Sequence, residues 1–203
     1  GRRYALFGGL LLAAYGEPRE THDVDVAVVD LTAEAARLAL DAAGIRGSVS
    51  FDGVTFGGLS IGRVALLGGD EDVGLNVVDL VQPRSLRYRS AAMTRSVVAP
   101  LRDRTIQALS ADDFVIFKAL ATRDRDVDDA ASVLRRSGDL LDLDLVEREI
   151  SLLSAEIRDW DVRSRWESIQ ARAARAARSA TSGTPRPSSP SANRACSSVR
   201  GAR

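Results

Sequence analysis

The sequence is short of the residues that stapled or metal-bound small domains depend on. It has one cysteine, Cys196, and one histidine, His22, in 203 residues. A disulfide framework within the chain is excluded, and so is a zinc site built on cysteines. Such cysteine use fits a reducing, cytoplasmic setting. Long apolar runs are also lacking. Arg2-Arg3 followed by Ala5–Tyr15 has the outline of a signal peptide, but the run is too short to cross a bilayer. Gly8-Gly9 interrupt it and no small-residue cleavage pattern follows, so it is read as folded sequence, and no membrane partner is expected. No internal repeat is visible. The first residue is Gly1 rather than Met, as expected if the natural N-terminus is missing or processed.

Lysine is the other near-absence. The basic residues are 27 Arg and a single Lys, Lys118. A GC-rich coding bias explains the ratio. Lys118 is then either a chance survivor or a position where arginine is not equivalent.

What is present suits a folded body with an appended tail. Hydrophobic residues make up 45% of the chain, and its formal charge is zero. That charge is unevenly spread. Residues 171–203 hold seven Arg and no acid, leaving 21 basic against 28 acidic groups, a net of −7, in the first 170 residues. Thr184–Pro190 has three Pro in seven residues. The stretch 171–203 is therefore expected to be a disordered, basic Arg/Ser/Pro-rich tail. It reads either as a solvated extension or as an arm for nucleic acid.

Periodicity predicts strands at Tyr4–Phe7, Val24–Val29, Ser48–Phe56, Ile61–Leu67 and Leu75–Val81, with helices at Leu10–Tyr15 and Thr32–Ala43. After Pro83 the pattern turns helical. Ser110 and Asp113 form a capping signature, and helices are expected at Val127–Arg136 and about Leu143–Gln170. The fold class is α+β, a mixed sheet with packed helices followed by a small helical region. The expected division is a core at 1–105, a helical region at 106–170 completing a cleft, and the tail.

The chemistry centres on Thr21-His22-Asp23-Val24-Asp25-Val26. Residues two apart on a strand share a face, so Asp23 and Asp25 project together while Val24, Val26 and Val28 point the other way. Paired carboxylates repel unless a cation or a proton intervenes, and magnesium takes oxygen ligands of this kind. The plain alternative is a solvated strand face. Asp79 is an acid inside the apolar run Leu75–Val81 and can meet the pair if the two strands are neighbours; otherwise it is an edge-strand surface residue. Three carboxylates suit two-metal phosphoryl transfer. Gly8-Gly9 opening a helix could bring backbone N–H groups close to a phosphate, or could be only a turn. His22, between Thr21 and Asp23, is expected to point away from the acids and reads as structural or incidental, not as a general base.

Gly8-Gly9, the short helix, and Arg19-Glu20-Thr21-His22-Asp23-Val24-Asp25 resemble the signature of the DNA polymerase β-like nucleotidyltransferase superfamily. Arg and Thr before the acidic pair, with Lys118, Arg123, Asp126 and Asp129 downstream, resemble bacterial abortive-infection (AbiEii-type) nucleotidyltransferase toxins and their relatives. The resemblance covers about residues 4–135. It implies that Asp23, Asp25 and Asp79 hold the metals, two Mg2+ ions. It also implies that Gly8, Gly9, Arg19, Thr21 and Lys118 bind the NTP, Arg19 as a fork and Lys118 as a point charge on the phosphates. Lys118 is expected to face the acidic cleft. Asp126 reads as the cap of a helix starting at Val127, with orientation of Lys118 or Arg123 as the alternative.

The implied function is transfer of NMP from an NTP to a hydroxyl of an RNA 3′ end (tRNA included), a protein or a small molecule. The resemblance extends that function to a toxin role with a cognate antitoxin. The alternative is a non-catalytic nucleotide-binding or toxin–antitoxin module on the same fold.

Overall fold

A computed structural model describes residues 4–67, 76–101 and 103–182, with the side chains of 179–182 left out. The rest of the expected tail lies outside the described residues. Seven strands form one mixed sheet: β1 (Tyr4–Leu6), β2 (Asp23–Val28), β3 (Gly47–Phe56), β4 (Leu59–Leu66), β5 (Val77–Pro83), β6 (Val97–Leu101) and β7 (Arg104–Ala108). Their order is β3-β4-β5-β2-β1-β7-β6. The β2–β5 and β1–β7 pairings are parallel, and the others are antiparallel. The helices are α1 (Gly8–Tyr15), α2 (Ala33–Ala42), α3 (Leu86–Thr94), α4 (Ala111–Leu120), α5 (Asp124–Arg136), α6 (Leu143–Glu156) and α7 (Val162–Ser182).

Burial explains the layering. Val28, Val64 and Leu80 meet Ala33 and Ala36 of α2 in a small apolar cluster on one side of the sheet. The larger cluster joins the sheet to the remaining helices through Leu12, Tyr88, Phe114, Phe117, Ile150 and Trp166. Thr32 caps α2 by accepting from the Ala35 amide, and Ser110 caps α4 by accepting from the Asp113 amide. None of the described helices is long and apolar enough to cross a membrane.

Four expectations change. The segment after Pro83 is not wholly helical: α3 is followed by the β6–β7 hairpin, with Leu6 of β1 in parallel register with Ala108 of β7. The single long helix is two, α6 and α7, separated where the Ile157 amide closes α6 on Leu153 and the Trp160 indole donates to the Ala119 carbonyl at 3.2 Å. Helix α7 then runs through the start of the expected tail, to Ser182. Helix α5 starts at Asp124 rather than Val127, so Asp126 lies within its first turn and is not its cap.

Candidate functional site

The register of three pairings builds the site. Asp25 is opposite Asp79, Asp79 is opposite Arg63, and Arg63 is opposite Phe51. Cross-strand partners share a face. One row of side chains therefore crosses four adjacent strands: Phe51, Arg63, Asp79, Asp25. The oxygens of Asp23, Asp25 and Asp79 lie within 4.8 Å of one another, and no other such group occurs among the described residues at this sheet face. The convergence expected from the sequence is present.

The electrostatics are uneven. Asp25 is 8% exposed. Burial, then the charges of Asp23 and Asp79, push its carboxyl up to about 6, against partial relief from Lys118 and Arg123. Asp23 goes the other way. Burial alone would raise it, but the Thr21 hydroxyl donates to it at 2.6 Å, and Arg123 and Arg19 add positive charge, so it sits below the ordinary carboxylate value. Asp79 is 5% exposed and is held by two bonds of 2.7 Å from Arg63.

Gly8 presses against Asp25, and Gly9 against Thr21. Gly8 has φ +66°, and a Cβ there would lie 1.8 Å from an Asp25 carboxylate oxygen. A Cβ on Gly9 would lie 2.7 Å from the Thr21 hydroxyl. Only glycine permits both the backbone conformation and the approach at position 8. The α1 N-terminus has no side-chain cap, so the helix start next to the acids keeps its amides uncapped by side chains.

Beneath the acids lies a second charged layer. The Lys118 ammonium is 1% exposed and donates to Asp126 at 2.7 Å and Asp129 at 2.8 Å. It also sits 5.4 Å from the Phe7 ring centroid and 5.6 Å from that of Phe114. Asp126 also accepts from Arg123, and Asp129 accepts two bonds of 3.0 Å from Arg19. Burial would raise both carboxyls, but their cations outweigh it and hold them below the usual range. Lys118 is thus not at the surface of the cleft; in this conformation it orders Asp126 and Asp129, which in turn fix Arg123 and Arg19. The alternative weighed for Asp126, orientation of Lys118 and Arg123, is the arrangement found. His22 is exposed beside Glu20.

Two clefts flank the row. One, of about 320 Å³, is lined by Phe51, Phe56, Ile61, Asp25, Asp79 and Arg123, among others. The other, of about 250 Å³, is polar and includes Arg19, Thr21, Asp23, Arg63 and Arg125. Arg63 borders both. Arg63 and Arg125 carry no sequence signal that separates them from 25 other arginines; only strand register brings Arg63 to Asp79.

No protein-family model matches the chain, and no curated protein does. Among solved structures it is similar to an antigenic nucleotidyltransferase-like protein from Paracoccidioides brasiliensis, at 16% identity and a TM-score of 0.40, over 82% of this chain and 85% of that one. The chemistry of the site stands on its own geometry: three converging carboxylates, a glycine-started helix against them, and arginines on either side.

Proposed function

We propose that the chain is a metal-dependent nucleotidyltransferase that moves NMP from an NTP to a hydroxyl acceptor. The observation that carries this is the triad Asp23, Asp25 and Asp79, gathered from two parallel strands against the start of α1.

The donor set fits divalent cations of the magnesium type. It is all oxygen, and the Asp25 carboxyl is raised by burial first and then by the charges of Asp23 and Asp79, which a bound cation would offset. Asp23, Asp25 and Asp79 would hold two such ions, which supply charge neutralisation at the attacking and leaving oxygens. The chain's own residues do the rest. The Gly8 and Gly9 amides offer donors to the triphosphate. Arg123, fixed by Asp126, faces the cleft with its guanidinium beside Asp25 and Asp23. Thr21 orients Asp23. Lys118 acts from below, as a positioning residue. In the reaction the acceptor oxygen bonds to the α-phosphorus, the bond to the bridging oxygen breaks, pyrophosphate leaves, and the hydroxyl proton passes to solvent.

On this reading residues 1–105 carry the triad, and residues 106–170 close the cleft through Arg123 and Asp126. The acceptor is an RNA 3′ end such as tRNA, a protein side chain or a small molecule. A cytoplasmic toxin role with a cognate antitoxin belongs to the same proposal. The experiment is incubation with each labelled NTP, Mg2+ and a panel of tRNA, proteins and aminoglycosides. Label transfer with pyrophosphate release is expected, and Asp25→Asn abolishes it. Failure of every NTP to release pyrophosphate sinks the catalytic reading.

One observation favours a second reading. Arg63 already neutralises Asp79 within the protein, as suits a nucleotide-binding module without turnover. Calorimetric binding of NTP with no pyrophosphate would select it.

A further inference from the structure

Of the five phenylalanines, Phe7, Phe114 and Phe117 are in the main apolar cluster, while Phe51 and Phe56 belong to neither cluster. Instead both line the larger cleft, Phe56 at 40% exposure. Their rings stand 6.4 Å apart at 56°, and the Arg63 guanidinium lies 5.4 Å from the Phe51 centroid. In a chain with only 5% aromatic residues, two rings held outside the core at the mouth of an acidic centre are unusual.

The lining is of two kinds. Leu59, Ile61 and Val81 join the two rings in apolar surface, while Asp25, Asp79 and Arg123 supply charge. Phe51 is two strands from Asp79, about 10 Å at the usual strand spacing. A ligand matching this must be flat and apolar at one end and able to reach cation-loaded carboxylates at the other. A lipid or an aliphatic side chain matches the wall but has no reason to meet aromatic faces with a guanidinium against one of them. A nucleobase on its sugar-phosphate matches both ends.

We propose that Phe51, with Phe56, is the stacking platform for a nucleobase, and that the base is held by its face rather than read by hydrogen bonds along its edge. This rests on the nucleotidyltransferase reading for the charged end only. The base belongs either to the NTP or to the terminal nucleotide of an RNA acceptor; the chemistry is the same, since every base has a stacking face.

The test is calorimetric titration of the full chain and of Phe51→Leu and Phe51→Tyr with three probes in Mg2+: ATP, inorganic triphosphate and a short oligoadenylate. Melting curves confirm that the variants fold, as expected for a residue outside both apolar clusters. Phe51→Leu should weaken ATP on the order of tenfold, the size of one lost base stack, and leave triphosphate unchanged. Phe51→Tyr should keep ATP binding. If only the oligoadenylate weakens, the stacked base is the acceptor's and the platform stands. Equal loss of triphosphate would mean that Phe51 acts through the charged end, and would overturn the proposal; so would unchanged binding of both base-containing probes. If neither ATP nor triphosphate binds the unsubstituted protein, the nucleotidyltransferase reading fails. The oligoadenylate alone then decides the platform, and its failure to bind or to respond to Phe51→Leu overturns that as well.

Discussion

Arg63 and Asp79 face each other across β4 and β5, and two bonds of 2.7 Å join guanidinium to carboxylate. The pair sets a competition. Any cation bound through Asp79 must displace a counter-ion that the sequence itself supplies. Arg63→Gln should therefore tighten divalent-cation binding to the nucleotide-free protein. The gain should be about threefold to tenfold, modest because the pair is partly exposed and screened. Manganese titration followed by electron paramagnetic resonance measures it directly. Unchanged affinity would mean that Asp79 does not take part in cation binding.

The buried Asp25 makes a pH prediction with a definite sign. Its carboxyl is raised from 3.8 to about 6 in the folded chain. A raised acid costs stability once it must ionise: the penalty is absent below the unfolded pKa, grows as pH climbs through the interval, and is complete above the folded pKa. For a shift of this size the cost reaches about 3 kcal/mol. Asp25→Asn removes the penalty, so without metal it should melt higher than the parent at pH 8 and alike at pH 3.5. A variant that melts lower at pH 8 would show that the carboxylate is compensated already.

Gly8 should tolerate no side chain. Gly8→Ala places a methyl 1.8 Å from an Asp25 oxygen on a backbone with φ +66°. Left-handed strain contributes about 1–2 kcal/mol, and displacement of Asp25 adds to it. The expected result is a melting temperature several degrees lower, together with loss of cation binding. Retention of both would show that α1 can move away from the acids.

Lys118 should behave as an internal strut. Lys118→Met takes the shared ammonium from Asp126 and Asp129 and leaves them to Arg123 and Arg19 alone, a loss of about 3 kcal/mol, the low end for a broken buried pair. Lys118→Arg keeps the charge but must fit a planar fork beside the Phe7 and Phe114 rings. It should lower the denaturation midpoint as well as turnover. Sequence reasoning alone expects turnover to fall with the fold intact; urea denaturation separates the two outcomes.

Legibility followed the range of the interactions. Asp23, Asp25 and Asp79 stand out in the sequence because an acid in a β-branched run breaks a local pattern, and their shared face follows from strand geometry alone. Arg63 is one of 27 arginines, and its meaning depends on the β4–β5 register, which no local signal fixes. The β6–β7 hairpin was hidden for another reason. Val97, Val98 and Leu101 are exposed, and Pro100 interrupts the run, so its apolar alternation is weak. Lys118 stands out by rarity, yet rarity does not tell a surface cation from a buried one. Asp126 has the residue type of a cap, but α5 begins at Asp124 with Arg123 at its N-cap and no side-chain cap bond, so no local signal marks its true start.

The parallel match of Asp25 with Asp79 also sets how the gene can change. On the far side of the sheet, Val78 and Leu80 pack with the α2 cluster. Deleting one residue within β5 would exchange the two faces, turning the acid toward Ala33 and Ala36 and a valine toward Asp25. Removing two adjacent residues would restore the alternation and could return an acid-bearing face to the row. Changes of length inside this strand are thus graded by parity rather than by size, an odd step being neutral only where a bulge like those between β3 and β4 takes up the extra residue.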